Sequence, residues 1–212
     1  MEAGRPPAET DEDAFDVQRA SRNVIVFGIM PCWIVPGFLD YLYHRKSSIE
    51  KTSGTHESLI HALQMTSIGI PTLMSLLLEV NASVIATVLA GAAVHEALTI
   101  WDIAYAEPLR RPEPNEQHVH SFLEVLPLMA LTSLLTLHPA QTAALFGRGS
   151  AKPVWRLRRK RPPLKLPYLG AVFGAITLFL AVPYAEEFVR CYRADRTLRA
   201  HHAAAGADAR SA

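Results

Sequence analysis

The sequence predicts an all-α integral membrane protein of about five transmembrane helices. Three observations carry that expectation. The 212-residue chain is 50% hydrophobic and nearly neutral, with a net charge of +1, yet its charges are segregated into the tails and a few loops. Between them lie apolar runs close to the ~20 residues a helix needs to cross the hydrocarbon core. Within the runs, polar residues sit mainly near the ends, whereas a soluble amphipathic helix carries a polar face along its whole length.

In chain order the runs cover residues 23–43, 57–80, 82–104, 120–146 and 166–189. The segment 1–22, MEAGRPPAETDEDAFDVQRASR, lacks the basic start and short apolar stretch of a signal peptide and reads as a flexible acidic tail. Residues 23–190 make the membrane domain. Residues 191–212 end in HHAAAGADARSA and read as a disordered, low-complexity tail. Cys32 and Cys191 are too few and too far apart for a disulfide framework or a cysteine zinc site. Pro31 and Pro36 are expected to kink the first helix. Gly170 and Gly174, and the small residues of LAGAAVHEA, offer surfaces for close helix approach.

The loop 147–165, GRGSAKPVWRLRRKRPPLK, holds eight Lys or Arg residues. The positive-inside rule places it, and with it the N-terminus, in the cytoplasm; a bacterial-type inner (plasma) membrane is the expected location. The same loop suits contact with anionic membrane lipids.

The ionisable residues at the helix borders form a second pattern. Asp40 and His44 close the first run, Glu57 and His61 open the second, His95 and Asp102 close the third, and His120 and Glu124 open the fourth. Consecutive spans alternate in direction, so all four pairs fall at one membrane face. Residues four apart lie roughly 40° apart around a helix, and residues seven apart share a face as well. Four helices are therefore expected to form a bundle around a metal site at that face, with Asp40, His44, Glu57, His61, His95, Asp102, His120 and Glu124 as ligands. Ionisable groups inside membranes are costly and usually functional. The mixture of imidazole and carboxylate favours iron or zinc. The size of the inventory points to two iron ions, with zinc as the alternative.

His56, Glu116 and His118 are further candidates, as ligands or as partners of ligands. His118 lies about 200° from His120 on a helix, so it joins the site only if the helix begins after it. Arg110 and Arg111 suit bidentate binding of a lipid headgroup. His138, His201 and His202 are set aside by position, and Glu186 with Glu187 reads as an interfacial charge pair.

The elements HESLIH, HEALTIWD and HVHSFLE, within residues 40–124, resemble the histidine boxes of integral-membrane non-haem di-iron enzymes, the desaturases and hydroxylases of fatty acids, sterols and alkanes. That resemblance implies two metals that activate O₂ for attack on an unactivated C–H bond. It further implies a lipid or other apolar small molecule as substrate and an electron-donor protein as partner. ESLIH, with Ser58 and His61 followed by Asp102, is also similar to membrane zinc hydrolases of the ceramidase type, which implies one zinc with an activated water. A non-enzymatic haem- or metal-binding membrane protein is the third reading. Nucleic acid is not an expected partner.

Overall fold

The structure, a computed structural model, describes residues 18–211, with side chains as far as residue 200. Among these residues, five helices are long and apolar enough to cross a membrane. They are α1 (Gln18–Ser47), α2 (Gly54–Leu77), α3 (Ala82–Ala106), α4 (Pro114–Leu137) and α6 (Leu166–Ala200), with a short α5 (Pro139–Leu145) after α4. Only 11–33% of each span's most apolar window is buried against protein. Val35, Ile70, Ile100 and Leu128 are among the large apolar side chains left facing outward. A surface so apolar and so extensive is suited to lipid.

Local chemistry sets the helix ends. Ser48, at φ 54°, takes α1 out of its helical path into the tight turn Ile49–Lys51. Asn81 caps α3 by accepting the Val84 N–H at 3.2 Å. Pro114 occupies the first turn of α4, where its missing N–H costs nothing. The same helix stops at His138, because a residue before proline is driven out of the α region and Pro139 follows. The fourth span is therefore 114–137 rather than the expected 120–146. The expected N-terminal tail lies outside the described residues up to position 17, and residues 18–22 already belong to α1. The backbone of α6 stays helical to Ser211, across the segment read from composition as a tail, and Cys191 within it is buried.

Two helices contain a register shift. Met30 N–H bonds Ile25 O and Val182 N–H bonds Thr177 O, five residues back instead of four. Each shift lies directly ahead of a proline, Pro31 in α1 and Pro183 in α6. A proline ring clashes with the carbonyl four residues before it, and a π turn relieves that clash. Pro36 sits within regular α-helix.

The bundle pairs α2 with α3 and α1 with α4, while α6 lies against α2 and α1. At Gly91 of α3 a Cβ would stand 2.4 Å from Ser67 O and 2.5 Å from Pro71 Cγ, so the backbones of α2 and α3 nearly touch. Gly37 of α1 receives Leu180 in the same way, with Cδ2 2.5 Å from where a Cβ would be. Gly170 and Gly174 face open space, so the close approach expected of them is absent, whereas the one expected of LAGAAVHEA is made at Gly91, and Gly37 adds another. Leu180 joins Tyr41 and Tyr184 in a buried cluster that fixes α6 against α1.

Gly91→Ala is expected to lower stability by about 1–3 kcal/mol, since α2 and α3 must separate to admit the methyl group. Gly170→Ala is expected to be neutral or slightly stabilising, as alanine is the better helix former. Thermal unfolding of the two variants in detergent checks the contrast, and equal behaviour would contradict the close contact.

Candidate metal centre

Antiparallel packing brings the C-terminal ends of α1 and α3 to the same end of the bundle as the N-terminal ends of α2 and α4. Three pairs there share one order, a carboxylate followed four residues later by a histidine: Asp40/His44, Glu57/His61 and Glu116/His120. Glu57 and Glu116 lie in the first turns of α2 and α4, where the positive end of the helix dipole favours an anion. Asp102 of α3 and Glu187 of α6 complete the set. All five carboxylates are at most 9% exposed, and His44 and His61 are buried with them.

The ligand-type atoms converge in three overlapping groups, each with its atoms within 4.8 Å of one another. Asp40, His44, Glu116 and His120 form the first; Glu57, His61 and Asp102 the second; His44, His61 and Glu187 the third. His44 Nε2 lies 3.4 Å from Asp40 Oδ1, 3.7 Å from Glu116 Oε1 and 4.0 Å from Glu57 Oε1. His61 Nε2 lies 3.1 Å from Asp102 Oδ2 and 3.9 Å from the same Glu57 Oε1. His120 Nε2 meets Asp40 Oδ1 at 2.7 Å. Glu57 thus stands between the two histidines.

Glu187 approaches from the other side. Its two oxygens lie 2.9 Å from His44 Nδ1 and 3.5 Å from His61 Nδ1, and the two rings stack 9° from parallel with centroids 4.6 Å apart. A carboxylate on Nδ1 holds the proton there and leaves Nε2 as the free donor, the arrangement that orients metal-bound histidines. Both Nε2 atoms face the other carboxylates.

The arrangement suits a cation on two counts. His44 Nε2 and Asp102 Oδ1 are buried without a hydrogen-bond partner, which is costly unless something else occupies them. Ligands held about 2.0–2.2 Å from a common ion stand roughly 3–4 Å from each other, as the atoms around His44 Nε2 do. Charge is the second count. Arg110 is the one buried guanidinium in the cluster, bonding Glu57 through Nε at 3.1 Å and reaching Glu116 with Nη1. Burial alone would make it easier to deprotonate, but the bonds and charges of Glu57 and then Glu116 outweigh that and raise its pKa. With neutral imidazoles, five carboxylates against one guanidinium leave four negative charges, an excess that bound cations would offset.

A cavity of about 70 Å³ adjoins the cluster. Its lining includes Asp40, His61, Asp102 and His120 together with Trp33, Met65, Leu123 and Leu180. Tyr184 closes it, with its hydroxyl 2.9 Å from Asp40 Oδ2 and 3.0 Å from Gly37 O.

Most of the expected residues are brought together here, with instructive exceptions. His95 and Glu124 line the cavity without joining the convergent groups, and His95 Nδ1 lies 3.3 Å from Gln64 O. Because α4 begins at Pro114, His118 turns outward against Phe122 while Glu116 turns in. His56 packs on Tyr105 and Trp101. Arg110, expected at a headgroup, points into the cluster, and Arg111 is exposed. The expected pair on α6 divides: Glu186 meets Arg45 at the surface, and Glu187 is fully buried at the histidines.

No protein-family model, curated protein or solved structure matches the chain. Its site is therefore read from its own atoms: a buried His, Glu and Asp cluster fit to hold metal, in a bundle of five membrane-length helices.

Glu187→Gln is expected to weaken metal affinity by about 10–100-fold while the fold survives, since the amide no longer accepts equally from both imidazoles. Glu186→Gln is expected to leave affinity unchanged. Competition against a chromophoric chelator measures both, and equal affinities would deny Glu187 its orienting role. In the same assay His44→Ala should lose metal and His138→Ala, beyond the α4 terminus, should retain it.

Proposed function

We propose that this protein is a membrane-embedded di-metal oxidoreductase, a hydroxylase or desaturase that uses two iron ions on a lipid-like or other apolar substrate. The observation that carries this reading is the donor set. Each of α1 to α4 contributes one buried carboxylate, and three of them add an imidazole four residues on. Di-iron and di-manganese bundles are built on the same plan, with inward carboxylates from four helices and histidines from some of them. Such a set exceeds what one four-coordinate zinc requires.

Asp40, His44, Glu116 and His120 would hold one ion, and Glu57, His61 and Asp102 the other. Bound iron supplies the redox chemistry needed to activate O₂ and functionalise a C–H bond. The chain's own residues prepare the site. Glu187 fixes both imidazoles, and Arg110 holds Glu57 and Glu116 in place. Tyr184 bonds the Asp40 oxygen that His120 leaves free. Trp33, Met65, Leu123 and Leu180, in the cavity lining, would pack against the hydrocarbon part of such a substrate. Electrons would come from a donor protein.

Ser58 favours a second reading, a zinc hydrolase, because its hydroxyl is buried and unpartnered one turn before His61. A haem protein fits poorly: His44 and His61 stack against each other, and the adjoining cavity is too small for a porphyrin.

Elemental analysis of the protein purified in detergent should give two iron ions per chain, and O₂ consumption in the presence of a long-chain lipid and a reductant should require them. One zinc per chain would support the hydrolase instead, and a Soret band would support haem. Chelation is expected to lower the unfolding midpoint, since an ion bound only by the folded state stabilises it.

A further inference from the structure

We propose that the loop of residues 147–165 forms a binding site for the headgroup of an anionic phospholipid, at the end of the bundle opposite the metal centre. The loop is fastened there by its backbone. Ser83 Oγ donates to Trp155 O at 2.6 Å, Asn81 Nδ2 to Arg156 O at 2.9 Å, and Glu79 N–H to Arg158 O at 2.9 Å. Lys160 N–H donates to Leu77 O at 2.9 Å, and its Nζ turns inward to Ser75 O. These partners are the end of α2 and the start of α3, so the loop lies at the level where the spans leave the hydrocarbon.

Fastening by main-chain groups leaves the arginine side chains free. Arg156, Arg158, Arg159 and Arg161 line an open concavity of about 440 Å³ with Leu157 and a single carboxylate, Glu79. All four are exposed, and none is in an ion pair among the described residues. Four guanidiniums around one concavity repel one another until an anion sits between them. Guanidinium matches the oxygens of a phosphodiester better than any other side chain. The ligand's other half is indicated by the neighbours. Val154, Trp155 and Leu157 are 40%, 56% and 51% exposed, interleaved with the arginines. An aromatic and two aliphatic side chains at a helix-end level favour the headgroup boundary, where tryptophan is enriched. A soluble phosphate would use the arginines and leave these side chains wet.

Native mass spectrometry of the full-length protein, titrated with phosphatidylglycerol or phosphatidylcholine, tests the site. Phosphatidylglycerol is expected to be retained on the order of tenfold more strongly. The variant Arg156→Gln/Arg158→Gln/Arg159→Gln/Arg161→Gln should lose that preference while keeping its metal content, which also reports its fold. Inorganic phosphate at millimolar concentration should displace little of the bound lipid. Equal retention of the two lipids by the unaltered protein would overturn the proposal whatever the variant does. So would a preference that survives in the folded variant, or full displacement by inorganic phosphate. Deleting residues 1–17 should leave the preference as it is; a large gain on deletion would make that acidic segment the occupant instead.

Discussion

Five carboxylates buried at one end of a membrane bundle are the constraint around which the rest of this structure is arranged. Charges removed from water are tolerated only when matched by opposite charge and satisfied hydrogen bonds. Arg110 meets Glu57 and Glu116, His120 and Tyr184 meet Asp40, and His44 and His61 share Glu187. Each of these contacts crosses between helices or from a loop to a helix. The polar cluster therefore sets the relative positions of its helices at one end, while Gly91 and Gly37 set them by contact deeper in the bundle.

The two kinds of packing depend on each other. Asp40 and Glu187 can face the same centre only if α6 lies close to α1, and Leu180 over Gly37 allows that approach. The π turn at Thr177–Ala181 adds a residue to the helical path between that contact region and the earlier part of α6. The stretch that follows carries Tyr184, which bonds Asp40, and Glu187, which meets His44 and His61. Outward, the same helices present aliphatic side chains of the kind suited to lipid.

Much of this was legible in the sequence, and the parts that were not have specific causes. The five spans follow from apolar length, and alternating direction was enough to bring Asp40, His44, Glu57, His61, Asp102 and His120 to one end. Glu116 stands only among the further candidates in the sequence, because the residues alone do not fix where α4 begins. Pro114 reads equally well as a loop residue or as the first residue of a helix, and only the second places Glu116 one turn before His120. A signal was present, since the order carboxylate-x-x-x-His already occurs at 40/44 and 57/61 and repeats at 116/120. Glu187 had no such signal. Helical spacing at about 100° per residue cannot tell which of two adjacent glutamates faces inward when a π turn of unknown position precedes them. The glycine pair 170/174 misled for a related reason: a pattern of small residues marks a thin surface without saying that anything lies against it.

The position of Glu57 has a consequence for how the cluster would fill. Its Oε1 stands 4.0 Å from His44 Nε2 and 3.9 Å from His61 Nε2, and those two rings hang from one carboxylate behind them. An ion captured on either side would draw on the shared glutamate and lock both imidazoles through Glu187. The neighbouring position would then be organised before its own ion arrives, with less ordering left to accomplish. If two ions are held as proposed, loading would be cooperative, favouring chains that are empty or doubly filled over chains carrying a single ion.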